Sequence, residues 1–232
     1  MKKELLSENV LARSSVVANS LMNRERLCFG GNSYQKELSF DILEFLKKRL
    51  SSQKQTAWLD LCCGSGKALI AAANILAAEK SNSELKIIGS DLVSMFDFYP
   101  AELDFLRLVE APAETLKFDG NFDLITCVHG LHYIGDKLAL IRKAAFWLKT
   151  NGIFLANLDL ANFKYADGKP AGRAVAGELR KNGIAYKSNK HLVVCKGRKE
   201  INFKFVYLGA DDQVGANYTK QPAVYSYYEK LI

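Results

Sequence analysis

Residues 58–67 read Trp-Leu-Asp-Leu-Cys-Cys-Gly-Ser-Gly-Lys. Ala57 to Cys63 is apolar except for Asp60, as a strand buried on both faces of a parallel sheet requires. Gly64 and Gly66 follow at once. Glycine tolerates positive φ and carries no Cβ, so the chain can turn sharply and lie against a ligand. The stretch Lys67-Ala-Leu-Ile-Ala-Ala-Ala-Asn-Ile-Leu-Ala-Ala-Glu79 is rich in good helix formers. The first-turn N–H groups of such a helix attract an acceptor or an anion. On spacing alone, Gly-x-Gly fits a tight structural turn as well as a ligand-contacting one. Leu69 stands where a third glycine would complete the dinucleotide fingerprint, and Gly66-Lys67-Ala68 lacks the spacer and hydroxyl of a phosphate loop.

A second signal lies at Leu85-Lys-Ile-Ile-Gly-Ser-Asp91, a short apolar strand closed by a carboxylate. Asp91 is far enough beyond Gly64 to admit one crossover helix and a loop. A carboxylate there can accept two hydrogen bonds from a ribose diol; the alternative is a solvated aspartate at a strand end. Together these residues carry a resemblance. Asp60-Leu-Cys-Cys-Gly-Ser-Gly66 resembles the glycine motif of class I S-adenosylmethionine (SAM)-dependent methyltransferases, and Gly89-Ser-Asp91 resembles their acidic second motif. Phe122-Asp-Leu-Ile-Thr-Cys-Val-His-Gly-Leu-His-Tyr133 is similar to their fourth strand and the loop beyond it. Leu148-Lys-Thr-Asn-Gly-Ile-Phe-Leu-Ala156 is similar to their Leu-Lys-Pro-Gly-Gly turn and fifth strand, with Thr150-Asn151 in place of Pro-Gly. The four motifs occur in the family's order over about residues 55–160.

The resemblance implies SAM as cofactor and S-adenosylhomocysteine as product. It implies a Rossmann-like, doubly wound α/β fold, with a seven-stranded, mostly parallel sheet whose last strand is antiparallel. It places the cofactor on Asp60, Gly64, Ser65 and Gly66, on Asp91 and Leu92, and on a loop at Ala111-Pro-Ala-Glu-Thr-Leu-Lys-Phe118. Pro112 occupies the position where relatives often have an aspartate. Contact with the adenine then falls to the Ala113 backbone or to Glu114.

The remainder of the chain is organised around this core. Residues 1–54 are expected to form a helical cap, 55–208 the cofactor-binding core, and 209–232 a tail near the substrate pocket. In the cap, residues 4–22 read as an amphipathic helix with Leu6, Val10, Val17 and Leu21 on one face. Ser33 can cap the next helix, which carries a stripe of Leu38, Ile42, Leu46 and Leu50. The loop from Asn23 to Tyr34 suits a lid, with Tyr34 over the methionine end of the cofactor, or else a plain helix connector. Core strands are expected near 57–63, 85–90, 106–110, 122–128 and 152–158, and helices near 67–80, 95–105 and 136–149. Pro170 starts and Gly183 ends a further helix. Residues 190–196 and 201–208 read as a closing hairpin through Gly197-Arg-Lys-Glu200.

His129 and His132 are two of only three histidines, and both follow strand four. Imidazole titrates near neutral pH and can take a substrate proton. Both are the candidate catalytic residues; the bland alternative is packing or capping. His191 reads as strand surface. Asp211 and Asp212 could pair with a cationic amine or simply solvate a loop.

Composition bounds the rest. The 49% apolar content of the 232 residues is ample for a core. No apolar run is long enough to span a membrane, and Met-Lys-Lys-Glu-Leu-Leu-Ser-Glu has no signal-peptide core. Five cysteines without paired spacing read as reduced thiols in a cytoplasmic protein, with no metal site. The net charge of +7 sits in the flanks, +4 over residues 1–56 and +7 over 160–232, around a core of −4. Such flanks could attract nucleic acid or merely keep the protein soluble. The leading expectation is methyl transfer to a small-molecule nucleophile, secondary metabolites among them. The alternatives are an RNA or protein methyltransferase and a non-catalytic SAM-fold partner protein. The methyl acceptor atom and the oligomeric state do not follow from these residues.

Overall fold

The structure is a computed structural model that describes residues 4–18, 25–78, 85–213 and 216–231. Five strands run parallel in the core: β1 (Thr56–Leu61), β2 (Leu85–Asp91), β3 (Leu106–Glu110), β4 (Phe122–Cys127) and β5 (Leu148–Asn157). Two more, β7 (Ile184–Lys187) and β8 (Leu192–Lys196), complete a seven-stranded sheet ordered β3-β2-β1-β4-β5-β8-β7, in which β8 runs antiparallel to both neighbours. The order reverses between β1 and β4. That opens a crevice beyond their carboxyl ends, where ligands of doubly wound sheets bind. Helices α4 (Lys67–Ala78) and α5 (Lys137–Trp147) cross over between strands, and α6 (Gly172–Lys181) leads into β7. Apolar side chains fill two core clusters, one containing Leu59, Ile125, Ile141 and Phe154, the other Trp58, Leu69, Ile87 and Leu124. The Trp58 ring nitrogen donates to Thr126 Oγ1 at 2.8 Å, so the buried indole keeps no unpaired donor.

Several expectations are corrected. The long N-terminal helix is reduced to α1 (Glu8–Leu11). Ahead of it, Leu6 pairs through both its N–H and its C=O with Ala210. Once the backbone is used as an extra strand it cannot also wind, and Ser14-Ser15-Val16-Val17 is a weak helix former. Val10 faces solvent at 53% exposure, and Leu21 lies outside the described residues. The helix near 95–105 is absent. Pro100 removes a donor and holds Tyr99 out of the helical region, and the Asp97 N–H instead reaches the Ser65 carbonyl at 2.9 Å. The closing hairpin is made from β7 and β8, not from 190–196 and 201–208. Both edges of β8 are taken by β5 and β7, so the later segment has no open edge to join. It becomes β9 (Phe205–Asp211) in a second sheet ordered β6-β10-β9, with β6 (Phe163–Tyr165) and β10 (Tyr225–Lys230). His191 is not strand surface; it sits at φ +47 ending the turn between β7 and β8.

The single cap helix expected after Ser33 is two, α2 (Tyr34–Leu38) and α3 (Ile42–Ser52), broken at Ser39 with φ +49. Ser33 Oγ accepts from the Lys36 N–H at 3.2 Å and Asp41 Oδ1 from the Glu44 N–H at 2.9 Å, so each segment has its own cap. Leu38, Ile42 and Leu46 are all buried.

The second sheet is stapled to the core by Lys137, at the start of α5 and wholly buried. Its Nζ donates to Ile134 O, Val224 O and Ser226 Oγ at 2.7–2.8 Å. Burial pushes its pKa down to about 7. Lys137→Met strands these buried acceptors and is expected to cost about 1–3 kcal/mol of stability, read as a lower midpoint in denaturant with unchanged slope.

Candidate active site

The glycine turn begins one residue early. Cys62 takes φ +61, followed by Gly64 at +63 and Gly66 at +82. A Cβ on Gly66 would lie 2.6 Å from Leu108 Cδ1, so the turn is pressed against β3. The bare N–H groups expected here are largely spent within the protein. The Gly64 N–H donates to Asp91 Oδ2 at 2.8 Å, the Cys63 N–H to Ser90 O at 2.9 Å and the Gly66 N–H to Cys63 O at 3.2 Å. The turn therefore offers close backbone approach more than an anion nest. Asp91 ties it down from the end of β2 and also accepts from the Val93 N–H at 3.2 Å.

A cleft of about 1070 Å³, counted to its open mouth, lies over this turn. Gly64, Asp91 and Leu92 line one side, Ala113 and Glu114 a second, and His129 and Tyr34 a third. Segments outside the core close it: Glu8, Leu11 and Arg26 from the N-terminal region, Thr219 and Gln221 from the C-terminal one. Ser90 Oγ, on the cleft wall, is buried with no hydrogen-bond partner among the described residues.

Not every candidate residue reaches the cleft. Asp60 lies fully buried beneath the turn, where Tyr34 Oη donates to its Oδ2 at 2.7 Å and Thr126 Oγ1 donates to Oδ1. Burial pushes Asp60 up to about 7 against the pull of those two donors. Tyr34 thereby ties the cap to the strand below the site. Ser65 and Gly66 do not line the cleft: Ser65 Oγ reaches Asp97 Oδ2 at 3.4 Å, and Gly66 is pressed against Leu108 of β3. Asp211 is buried in β9, away from the cleft walls. Of the proposed lid, Asn23 and Arg24 lie outside the described residues.

His129 follows β4 in the left-handed region at φ +59 and is 7% exposed. Its N–H reaches Asn157 Oδ1 at 3.3 Å, and its Nε2 lies 3.0 Å from Glu37 Oε2 of α2. The His129 contact holds the Glu37 carboxyl below its ordinary range. Arg26 approaches the same carboxylate at 3.7 Å. His132 is fully buried, with its ring 5.5 Å from that of His129. The Tyr218 ring stacks on His191 at 3.9 Å and 7° and lies 5.3 Å from His132 and 6.1 Å from His129. All three histidines thus gather on one tyrosine from the C-terminal segment.

Burial, and then the neighbouring imidazole and Lys137, push His132 well below its ordinary value of 6.5. The folded state resists a proton that the unfolded chain accepts below pH 6.5, so this contribution to stability is present above that pH and is lost on acidification. The stability of the wild type relative to His132→Phe is expected to fall as pH drops from about 7 to 5 in parallel denaturation curves.

On the adenine side of the expected placement, Glu114 and Glu8 share a wall. Burial, and then the Glu8 carboxyl, push Glu114 up. Cys62 shares a hydrogen bond with Cys127, which together with burial keeps it a neutral thiol.

A family model for a methyltransferase domain matches residues 32–194. The chain belongs to the class I SAM-dependent methyltransferases. The matched region runs from the cap of α2 into β8, so it includes the glycine turn, Asp91, the 111–116 loop and His129. No curated protein matches it in sequence. Among solved structures it is similar to YjhP from E. coli, at 20% identity over 62% of this chain and 55% of that one, TM-score 0.41. It is also similar to CalS10, a SAM-bound amino pentose methyltransferase from Micromonospora echinaspora, at 20% identity over 55% and 51%, TM-score 0.38. A SAM-dependent methyltransferase from Aquifex aeolicus aligns at 17% identity over 69% and 89%, TM-score 0.43. The chain spans about half the length of the first two. The family uses SAM, and the residues around the cleft suit it. The turn lets a ligand lie on the backbone, a carboxylate closes β2, and the Ser90 hydroxyl on the wall has no hydrogen-bond partner among the described residues. Among the described residues no group of His, Cys, Asp and Glu could hold a metal ion, and no helix is long and apolar enough to cross a membrane.

Sequence reasoning missed Glu37, and it placed Arg26 and Tyr218 only as members of the lid loop and of the tail, with no partner for either. Each reaches the site from a segment outside the parallel core, through contacts that no local pattern encodes.

Proposed function

We propose that this protein transfers the methyl group of SAM to a small-molecule acceptor. The observation that carries the reading is the make-up of the cleft: a glycine turn bonded to Asp91, a buried histidine, and residues of the N-terminal and C-terminal segments share its lining. SAM supplies an electrophilic methyl on a sulfonium. Asp91 takes the ribose hydroxyls, with Leu92 beside it. Ala113 and Glu114 take the adenine, and Gly64 underlies the methionine portion. Asp60 acts from below, by fixing Tyr34. His129 stands at the methyl end and accepts the acceptor's proton, and His132 backs it as a neutral wall. Catalysis by such a site is mostly alignment and exclusion of water. The coverings from the N-terminal and C-terminal segments, with Glu8, Leu11, Arg26, Thr219 and Gln221 on the cleft wall, support a compact acceptor.

The test is to supply methyl-tritiated SAM together with a cell extract separated into small-molecule, RNA and protein fractions. Label in the small-molecule fraction alone is the expected result. Label confined to RNA or protein would contradict the acceptor class. Tight SAM binding with no label in any fraction would leave a binding protein in place of an enzyme.

A further inference from the structure

Glu37 belongs to the cap, 92 positions before His129, yet its Oε2 lies 3.0 Å from His129 Nε2. Neither group is there by accident of surface crowding. The His129 backbone is fixed in the left-handed region, and its N–H is held near Asn157. Glu37 sits on a helix capped by Ser33 and anchored through Tyr34 to Asp60. Both His129 ring nitrogens are shielded from solvent, and neither makes a well-aligned hydrogen bond among the described residues; the Glu37 carboxylate, 3.0 Å from Nε2, is the charged group that approaches the ring. A carboxylate can only accept a hydrogen bond, so its approach to Nε2 favours the neutral tautomer with the proton there and the lone pair on Nδ1.

We propose that Glu37 positions His129 as the proton acceptor for a hydroxyl-bearing substrate. The proposal rests on the methyl-transfer reading above and narrows it. A neutral amine needs no base to accept a methyl group, whereas an alcohol or phenol must lose its proton. A buried imidazole held with a free lone pair is the group for that task. In the step, the O–H bond breaks and its proton passes to Nδ1. The oxygen pair forms the new O–C bond, and the S–C pair returns to sulfur. The imidazolium so formed is stabilised by the Glu37 carboxylate. Atoms and charge balance as methyl ether, S-adenosylhomocysteine and protonated His129.

Two readouts test this on the full chain. The first needs no acceptor: long-range ¹H–¹⁵N NMR of the three histidines in wild type, Glu37→Gln and Glu37→Asp, with signals assigned by single histidine variants. The expected result is a single Nε2–H tautomer for His129 in wild type, a mixed population in Glu37→Gln, and recovery in Glu37→Asp. The same tautomer in all three overturns the positioning role. The second measures S-adenosylhomocysteine release with catechol, benzylamine and thiophenol as probes. Release with catechol is expected, with kcat about 10–100-fold lower in Glu37→Gln and KM for SAM nearly unchanged. Absence of turnover with catechol overturns the acceptor class. If His129→Asn abolishes turnover while Glu37→Gln leaves it intact, only the role of Glu37 fails. If neither change affects turnover, the reading of His129 as a base fails with it.

Discussion

Replacing His129 with asparagine is expected to lower kcat by about 10²–10⁴-fold, the range a positioned general base contributes, while SAM affinity stays close to wild type. Asparagine is the informative replacement. It tolerates the left-handed backbone that His129 adopts at φ +59, so the loop after β4 keeps its course. It removes the titrating ring but keeps a polar side chain. The half-buried Glu37 then retains Arg26 as its partner. Stopped assays of S-adenosylhomocysteine with saturating SAM, paired with calorimetric SAM titrations, separate the two quantities. A kcat unchanged in this variant would mean that the acceptor arrives without a proton to lose, and that His129 serves only to pack against His132 and Tyr218.

The second large effect is expected at Asp91. Asp91→Ala removes the proposed acceptor of two ribose hydrogen bonds and, at the same time, the partner of the Gly64 and Val93 N–H groups. Losing hydrogen bonds to a charged acceptor costs about 1–3 kcal/mol, or about 5–150-fold in the dissociation constant for SAM. The two roles separate in Asp91→Asn, which keeps an oxygen for one backbone N–H but loses the charge. If the ribose contact dominates, Asn and Ala weaken SAM similarly, and Asn spares thermal stability. If the turn contact dominates, Ala alone weakens SAM and lowers the unfolding midpoint.

The parts of the fold that proved legible in the sequence rest on local chemistry. A buried strand followed by glycines, an apolar strand ending in Asp91 and the cap at Ser33 all declare themselves within a few residues. The parts that were not legible depend on competition between distant segments. Leu6 leaves a helix because Ala210 offers a strand edge. Residues 205–211 join β10 because β8 has no edge to give. Pro100 is a local reason against a helix near 95–105, whereas regular strand–helix alternation asks for one there. At the site, Asp91 and His129 follow from their places after β2 and β4. Glu37 does not, because a charged residue on a short helix looks the same whether it faces water or an imidazole. Asp60 was legible as a motif residue, but its burial beneath the turn and its partner Tyr34 appear only once the cap is folded over β1.

The most direct test of the account is an experimental structure with S-adenosylhomocysteine bound. The account predicts that both ribose hydroxyls lie within about 2.6–3.2 Å of the Asp91 carboxylate, the adenine beside Ala113 and Glu114, and the thioether sulfur toward His129. An adenosyl group bound elsewhere, with the Asp91 oxygens engaged only by Gly64 and Val93, would contradict it.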